Sequence, residues 1–142
     1  PRAVELANTS IWGTLSCVLL VHPQTEKQHP ELVDEAIATL RYGAVAVNLW
    51  GAVAYGLVST TWGAFPGHPL DDIRSGRGVV HNAFLFDHPQ KSVVRAPFRI
   101  SPLPLWFAGH RTLRSLAPKL VNFEAAPTWY KVPAVIWDAL RG

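Results

Sequence analysis

The chain has 142 residues, 49% of them apolar and 16% charged, and carries a net charge of +3 at neutral pH. That length supports a domain with a buried core, and the composition excludes a disordered chain, which needs low hydrophobicity and high net charge. The single cysteine, Cys17, excludes an intramolecular disulfide and fits a reducing, cytoplasmic setting, and no Cys/His cluster points to zinc.

The opening "PRAVELANTS" reads as the last turns of a helix, with Asn8 where a helix-ending residue belongs. Since the chain also lacks methionine, a segment of a longer polypeptide is expected. Leu15 to His22 is an almost continuous apolar run stopped by Pro23, as in a strand covered on both faces. "QTEKQ" then reads as a polar loop. "HPELVDEAIATLRYG" is the clearest helix. Pro30 sits early, Glu31, Asp34 and Glu35 favour the N-terminal dipole, and Leu32, Ala36 and Leu40 form a stripe with Val33 and Ile37 beside it. Arg41 closes it and Gly43 is expected as a left-handed cap. "AVAVN" is a second buried strand, so strand, helix and strand predict a βαβ unit with parallel strands.

From Arg41 no charge occurs until Asp71. This stretch is long enough for a membrane span, but Asn48, Ser59, Thr60, Thr61 and interior glycines dilute it, and Pro66 follows. A buried strand running into an apolar, glycine-rich loop fits better. "GHPLDDIRSGRG" is turn-rich, with room for a short helix at Leu70–Arg74, and "KSVVRAP" alternates as a strand that Pro97 ends. In the tail Leu113, Leu116, Ala117 and Leu120 share one helical face, with Arg111, Arg114 and Lys119 mostly opposite. A last helix from about Val132 is expected to bury Val132, Val135, Ile136, Ala139 and Leu140. Residues 1–90 have a net charge of −3 and residues 91–142 of +6, so the tail is either a basic, solvated outer face or a binding surface.

The order of motifs resembles the C-terminal part of the aldehyde dehydrogenase superfamily. There a helix ending in Leu-Ala-Asn leads into a Tyr-Gly-Leu-like turn and a strand, then a helix, a "G-x-V-x-V-N" strand, an apolar loop, a "P-F-G-G" turn and an "S-G-x-G". The matching positions are Leu6-Ala7-Asn8, Gly43 to Asn48, Thr61-Trp62-Gly63-Ala64, and Ser75-Gly76-Arg77-Gly78. The departures are Thr61 for proline, Trp62 for phenylalanine and Ala64 for the second glycine. The basic, tryptophan-bearing tail has no counterpart in the pattern. The resemblance implies an α/β fold, a partial three-layer catalytic-domain fragment over residues 1–97, with a mainly helical tail over 98–142. It further implies that Leu49, Trp50, Val53, Tyr55 and Trp62 border the aldehyde substrate. The upstream part of the same polypeptide would be the first partner, and a homo-oligomer, with "KSVVRAP" in a subunit contact, is the expected assembly.

Catalysis of that kind needs a thiolate, an oxyanion site and NAD or NADP. Cys17 lies in an apolar strand with nothing nearby in sequence to lower its pKa, and in the family the nucleophile and the cofactor-binding segments lie upstream. No catalytic, cofactor-binding or metal-ligating residue is therefore expected in this chain, and NAD(P) belongs to the full-length parent. "GRGVVHN" lacks the helix that a phosphate-binding loop requires. His81, Asp87 and His88 have no metal-site spacing and read as loop residues. Two functions compete: a segment of an aldehyde dehydrogenase-like oxidoreductase, and a non-enzymatic module. The module would dock on a membrane surface or partner protein through a basic tail bearing Trp106, Phe107, Trp129 and Trp137. Nucleic-acid binding has no supporting motif.

Overall fold

The computed structural model describes residues 2–105 and 107–142; Pro1 and Trp106, the latter one of the tail tryptophans singled out from the sequence, lie outside the described residues. The chain divides into two compact units, the first ending at Phe98 and the second spanning Arg99–Gly142.

The first unit is α/β. Its elements are α1 (Arg2–Thr9), β1 (Ser16–Leu19), α2 (Pro23–Gln28), α3 (Pro30–Thr39), β2 (Ala44–Val47), α4 (Ala52–Gly56), β3 (Trp62–Gly63), β4 (Val79–Val80) and β5 (Ser92–Arg95). Strands β1, β2 and β5 form a parallel sheet with β2 central, while β3 and β4 form a separate antiparallel pair. In register, Cys17, Val45 and Val93 stand side by side, and Leu19, Val47 and Arg95 do the same one pair along. The core is built on that face: Val45 and Val47 pack with Val33, Ile37 and Leu40, and Val4, Ala7, Cys17 and Leu19 pack against them.

The helix of the βαβ unit is where expected, but its buried stripe is rotated. Val33, Ile37 and Leu40 are buried, whereas Leu32 is 47% exposed. The C-terminus of α3 is not closed by a left-handed Gly43. Leu40 turns out in extended geometry instead, and Lys91 reaches across from the start of β5. Its Nζ donates to the carbonyls of Ile37 (3.0 Å), Ala38 (2.7 Å) and Leu40 (2.6 Å). A cation thus satisfies three of the carbonyls that a helix end leaves unpaired, on the side its dipole favours. Asn8 secures the same end from α1, donating to Thr39 O and accepting from Arg41 N, at 2.9 and 2.8 Å.

Three other expectations are corrected. β1 is an edge strand with alternating burial, not covered on both faces: Val18 is half exposed and Leu20 more so. "QTEKQ" is helical, because Pro23 occupies the first turn of α2 instead of merely ending the strand before it, and His22 Nδ1 accepts from Gln24 N at the cap. No helix forms at residues 70–74; the apolar loop after β2 holds the short α4 instead.

The second unit comprises α5 (Leu113–Ala125), a 3-10 turn (Trp129–Lys131) and α6 (Val132–Ala139), with α5 and α6 packed on one another. Leu116 is fully buried in α5. The expected buried stripe of α6 is met only in part, with Val132, Val135 and Ala139 half-buried. Ile136 and Leu140 are exposed, and the buried residue of that helix is Asp138. The shift of the buried face toward Asp138 follows from that residue's partners. Asp138 Oδ2 accepts from Lys119 Nζ at 2.6 Å and from Ser115 Oγ at 2.9 Å, and Thr112 Oγ1 donates to Asp138 O at 2.5 Å. No helix among the described residues is long and apolar enough to cross a membrane.

Candidate functional site: an aromatic wall beside the sheet

Gly43, immediately before β2, has no room for a side chain. A Cβ there would fall on the Gly63 carbonyl oxygen and within 2.8 Å of two further backbone atoms of Gly63 and Ala64. A Cβ on Gly63 would in turn fall on the Gly78 carbonyl. Three glycines far apart in sequence therefore stack backbone on backbone, which brings β3 and its flanks against the head of the parallel sheet. Hydrogen bonds fix the stack: Gly43 N and Phe65 N both donate to Thr14 O, at 2.9 and 3.0 Å. Thr14 N donates to Ser75 Oγ at 2.8 Å, and Ser92 Oγ donates to Thr61 O at 2.7 Å.

This frame positions the aromatic side chains. Tyr55, near the end of α4, meets Trp62 edge-on with ring centroids 5.6 Å apart, a favoured geometry for aromatic pairs. Thr60 Oγ1 donates to Ala54 O at 3.1 Å, which ties the segment before Trp62 to α4. The pairing of Trp62 with Val80 then carries the next residue, His81, to the same place, and its ring lies 5.0 Å from that of Tyr55. His81 and Asn82 both take left-handed backbone geometry, and Asn82 Nδ2 donates to Val58 O at 2.7 Å. His81 Nδ1 is buried with no hydrogen-bond partner in the protein. Such an atom costs about 1–3 kcal/mol unless a bound polar group or water satisfies it.

Of the residues singled out from the sequence, Tyr55 and Trp62 are thus in contact. Val53 is half-buried on the same short helix, and Leu49 and Trp50 stand in the turn before it, Trp50 with 58% of its surface exposed. The arrangement is an open wall, since Tyr55 is also more than half exposed. A cleft of about 380 Å³ lies elsewhere, between α1 and α3, lined by Val4, Asn8, Leu32, Ala36 and Arg41 among others, and holds none of the wall residues. The sequence groups His81 only with Asp87 and His88, as loop residues. Among the described residues no group of three or more His, Cys, Asp or Glu is placed to hold a metal ion. The signal that would have found its role is the alternation of "GVVHN" opposite "TTWGA" as a paired ladder.

Cys17 is partly buried in β1, and burial pushes its thiol up to about 11, with the Lys91 cation opposing. At neutral pH it is a protonated, weakly nucleophilic group packed beside the core. Burial likewise lowers the Lys91 pKa, with Cys17 countering, although its three carbonyl partners favour the charged form. No protein-family model matches the chain, and no curated protein or solved structure matches it either.

Proposed function

We propose that this chain is the C-terminal segment of an NAD(P)-dependent aldehyde dehydrogenase-like oxidoreductase and supplies part of the wall of its aldehyde site. The nucleophile and the cofactor-binding segments lie upstream in the same polypeptide, which assembles as a homo-oligomer with the β5 edge in a subunit contact. The carrying observation is the contact between the glycines of three separate motifs, Gly43, Gly63 and Gly78. In the resemblance these belong to the "G-x-V-x-V-N" strand, the "P-F-G-G" turn and the "S-G-x-G" link. Substitutions such as Thr61 and Ala64 leave that backbone contact unaffected, because it depends on the glycines alone. Asn48, which ends the strand motif, has a local reason to be asparagine: it takes left-handed geometry, and its Oδ1 accepts from Val21 N at 2.8 Å.

In this reading Leu49, Trp50, Val53, Tyr55 and Trp62 face an apolar aldehyde, and apolar, aromatic lining suits a site that must exclude water. His81 adds one polar atom to that lining. No residue of this chain is assigned to NAD(P) or to the covalent step.

The test begins with the coding sequence upstream of Pro1. A Glu-x-Phe-Gly-Pro motif and a glycine-flanked cysteine are expected there, and the full gene product should reduce NAD or NADP with an apolar aldehyde. Trp62→Ala should raise KM for such an aldehyde about tenfold with little change in kcat, as loss of uniform binding requires. Absence of both upstream motifs, or a full-length protein that oxidises no aldehyde, overturns the reading.

A further inference from the structure

The second unit wears its apolar surface on the outside. Asp138 is the one charged side chain within α6, and it is turned inward to Lys119 and Ser115 on α5, with 6% of its surface exposed. The opposite face is therefore presented outward. It carries Trp129 (89% exposed), Tyr130, Pro133, Ile136, Trp137 (63%) and Leu140 (62%) at the three- and four-residue spacing of one helical side. A helix that packs in a soluble core turns such a stripe inward.

Charge identifies what covers it. Residues 99–142 carry six Lys/Arg and two Asp/Glu, a net of +4. Of the two acids Asp138 is internal, which leaves Glu124 exposed against exposed Arg99, Arg111, Arg114 and Arg141. The Arg141 guanidinium lies over the Trp137 ring, 5.4 Å from its centroid, so a cation and an indole are presented together. Tryptophans on an apolar helical face with arginine beside them match the boundary between anionic headgroups and acyl chains.

We propose that this face docks on the surface of an anionic lipid bilayer, with Trp129, Ile136, Trp137 and Leu140 at the headgroup–acyl boundary and Arg141 on lipid phosphate. The association is peripheral. It stands apart from the aldehyde reading, since it uses only residues of the second unit.

The full chain is mixed with vesicles of phosphatidylcholine alone, or containing phosphatidylserine, at low and high salt, and followed by co-sedimentation and tryptophan fluorescence. Binding to the phosphatidylserine vesicles with a blue-shifted emission is expected, reversed by salt and weak on the neutral vesicles. Arg141→Gln, an exposed change, should weaken that binding about fivefold. Trp129→Ser with Trp137→Ser should abolish it with the far-ultraviolet circular dichroism unchanged. A folded chain that ignores anionic vesicles at low salt overturns the proposal, as does binding indifferent to the tryptophan pair. Self-association that the pair abolishes, without vesicle binding, would instead place a second copy of the chain on this face.

Discussion

Replacing Gly43 with alanine is the sharpest perturbation of the first unit. The added methyl would sit on the Gly63 carbonyl, and the neighbouring atoms are backbone, which no rotamer change can move aside. Overpacking of this kind costs about 1–3 kcal/mol. Relief requires the 61–65 segment to retreat from the sheet, which breaks the Phe65 N–Thr14 O bond and loosens Ser92 from Thr61, at roughly 1 kcal/mol more. The expected loss is about 3 kcal/mol, roughly a hundredfold in the folding equilibrium. For a unit of this size that corresponds to a fall in melting temperature of about 10–20 °C. Urea unfolding followed by far-ultraviolet circular dichroism measures it. Gly56→Ala is the control, because nothing lies within 4 Å of its added methyl, and within α4 it should be neutral or gain about 0.5 kcal/mol. If Gly43→Ala unfolds within about 1 kcal/mol of the parent protein, the backbone stack does not hold the unit together, and the motif convergence loses its physical basis.

Two further outcomes follow from the titratable groups. Cys17, raised from 9.0 to about 11, should be alkylated by iodoacetamide at pH 8 about a hundredfold more slowly than a free cysteine, with the difference disappearing in urea; equal rates would refute its burial as the controlling factor. The carboxyl of Asp138 is held below its ordinary value of 3.8 by hydrogen bonds from Lys119 and Ser115. Its contribution to stability is therefore complete above that ordinary value and is lost as pH falls through the lower, folded-state value. Asp138→Asn should lower helicity near neutral pH and flatten the acid transition below about pH 4, read by circular dichroism; an unaltered acid transition would count against the clasp.

How much of this was legible depended on whether the deciding partner lay nearby in sequence. Pro30, Glu31 and the apolar period announced α3, since each acts within one helix. Which of two overlapping apolar stripes it would bury was set by the sheet, through Val45 and Val47, and Leu32 was lost to solvent accordingly. Gly43 was recognisable as a required glycine, but for the wrong reason. Its requirement comes from Gly63, twenty residues on, and the cap it was expected to provide is supplied by Lys91 from farther still. Periodicity also placed the buried face of α6 only in part: Val132, Val135 and Ala139 turn inward, while Ile136 and Leu140 do not. A hydrophobic count buries Ile136 and Leu140, and cannot register that Asp138 has a lysine and a serine waiting on α5. Tyr55 and Trp62 were reachable through resemblance, whereas His81 required the Trp62–Val80 register.

The wall is held by main chain, and this makes it open to experiment. Trp62 is placed by its pairing with Val80, by the bonds of Thr61 to Ser92, and by the contact of Gly63 with Gly78. None of these passes through the indole. Truncating the side chain therefore removes the ring contact with Tyr55 and leaves the strand anchored, at a cost of about 1 kcal/mol beyond the area it buries. Tyr55 sits on α4, whose end is tied through Ala54 to Thr60, so its truncation is equally local. On the proposed aldehyde dehydrogenase-like reading, a change of aldehyde preference in either variant would then report on the wall itself, because the frame behind it is built from glycines and hydroxyls that both substitutions leave in place.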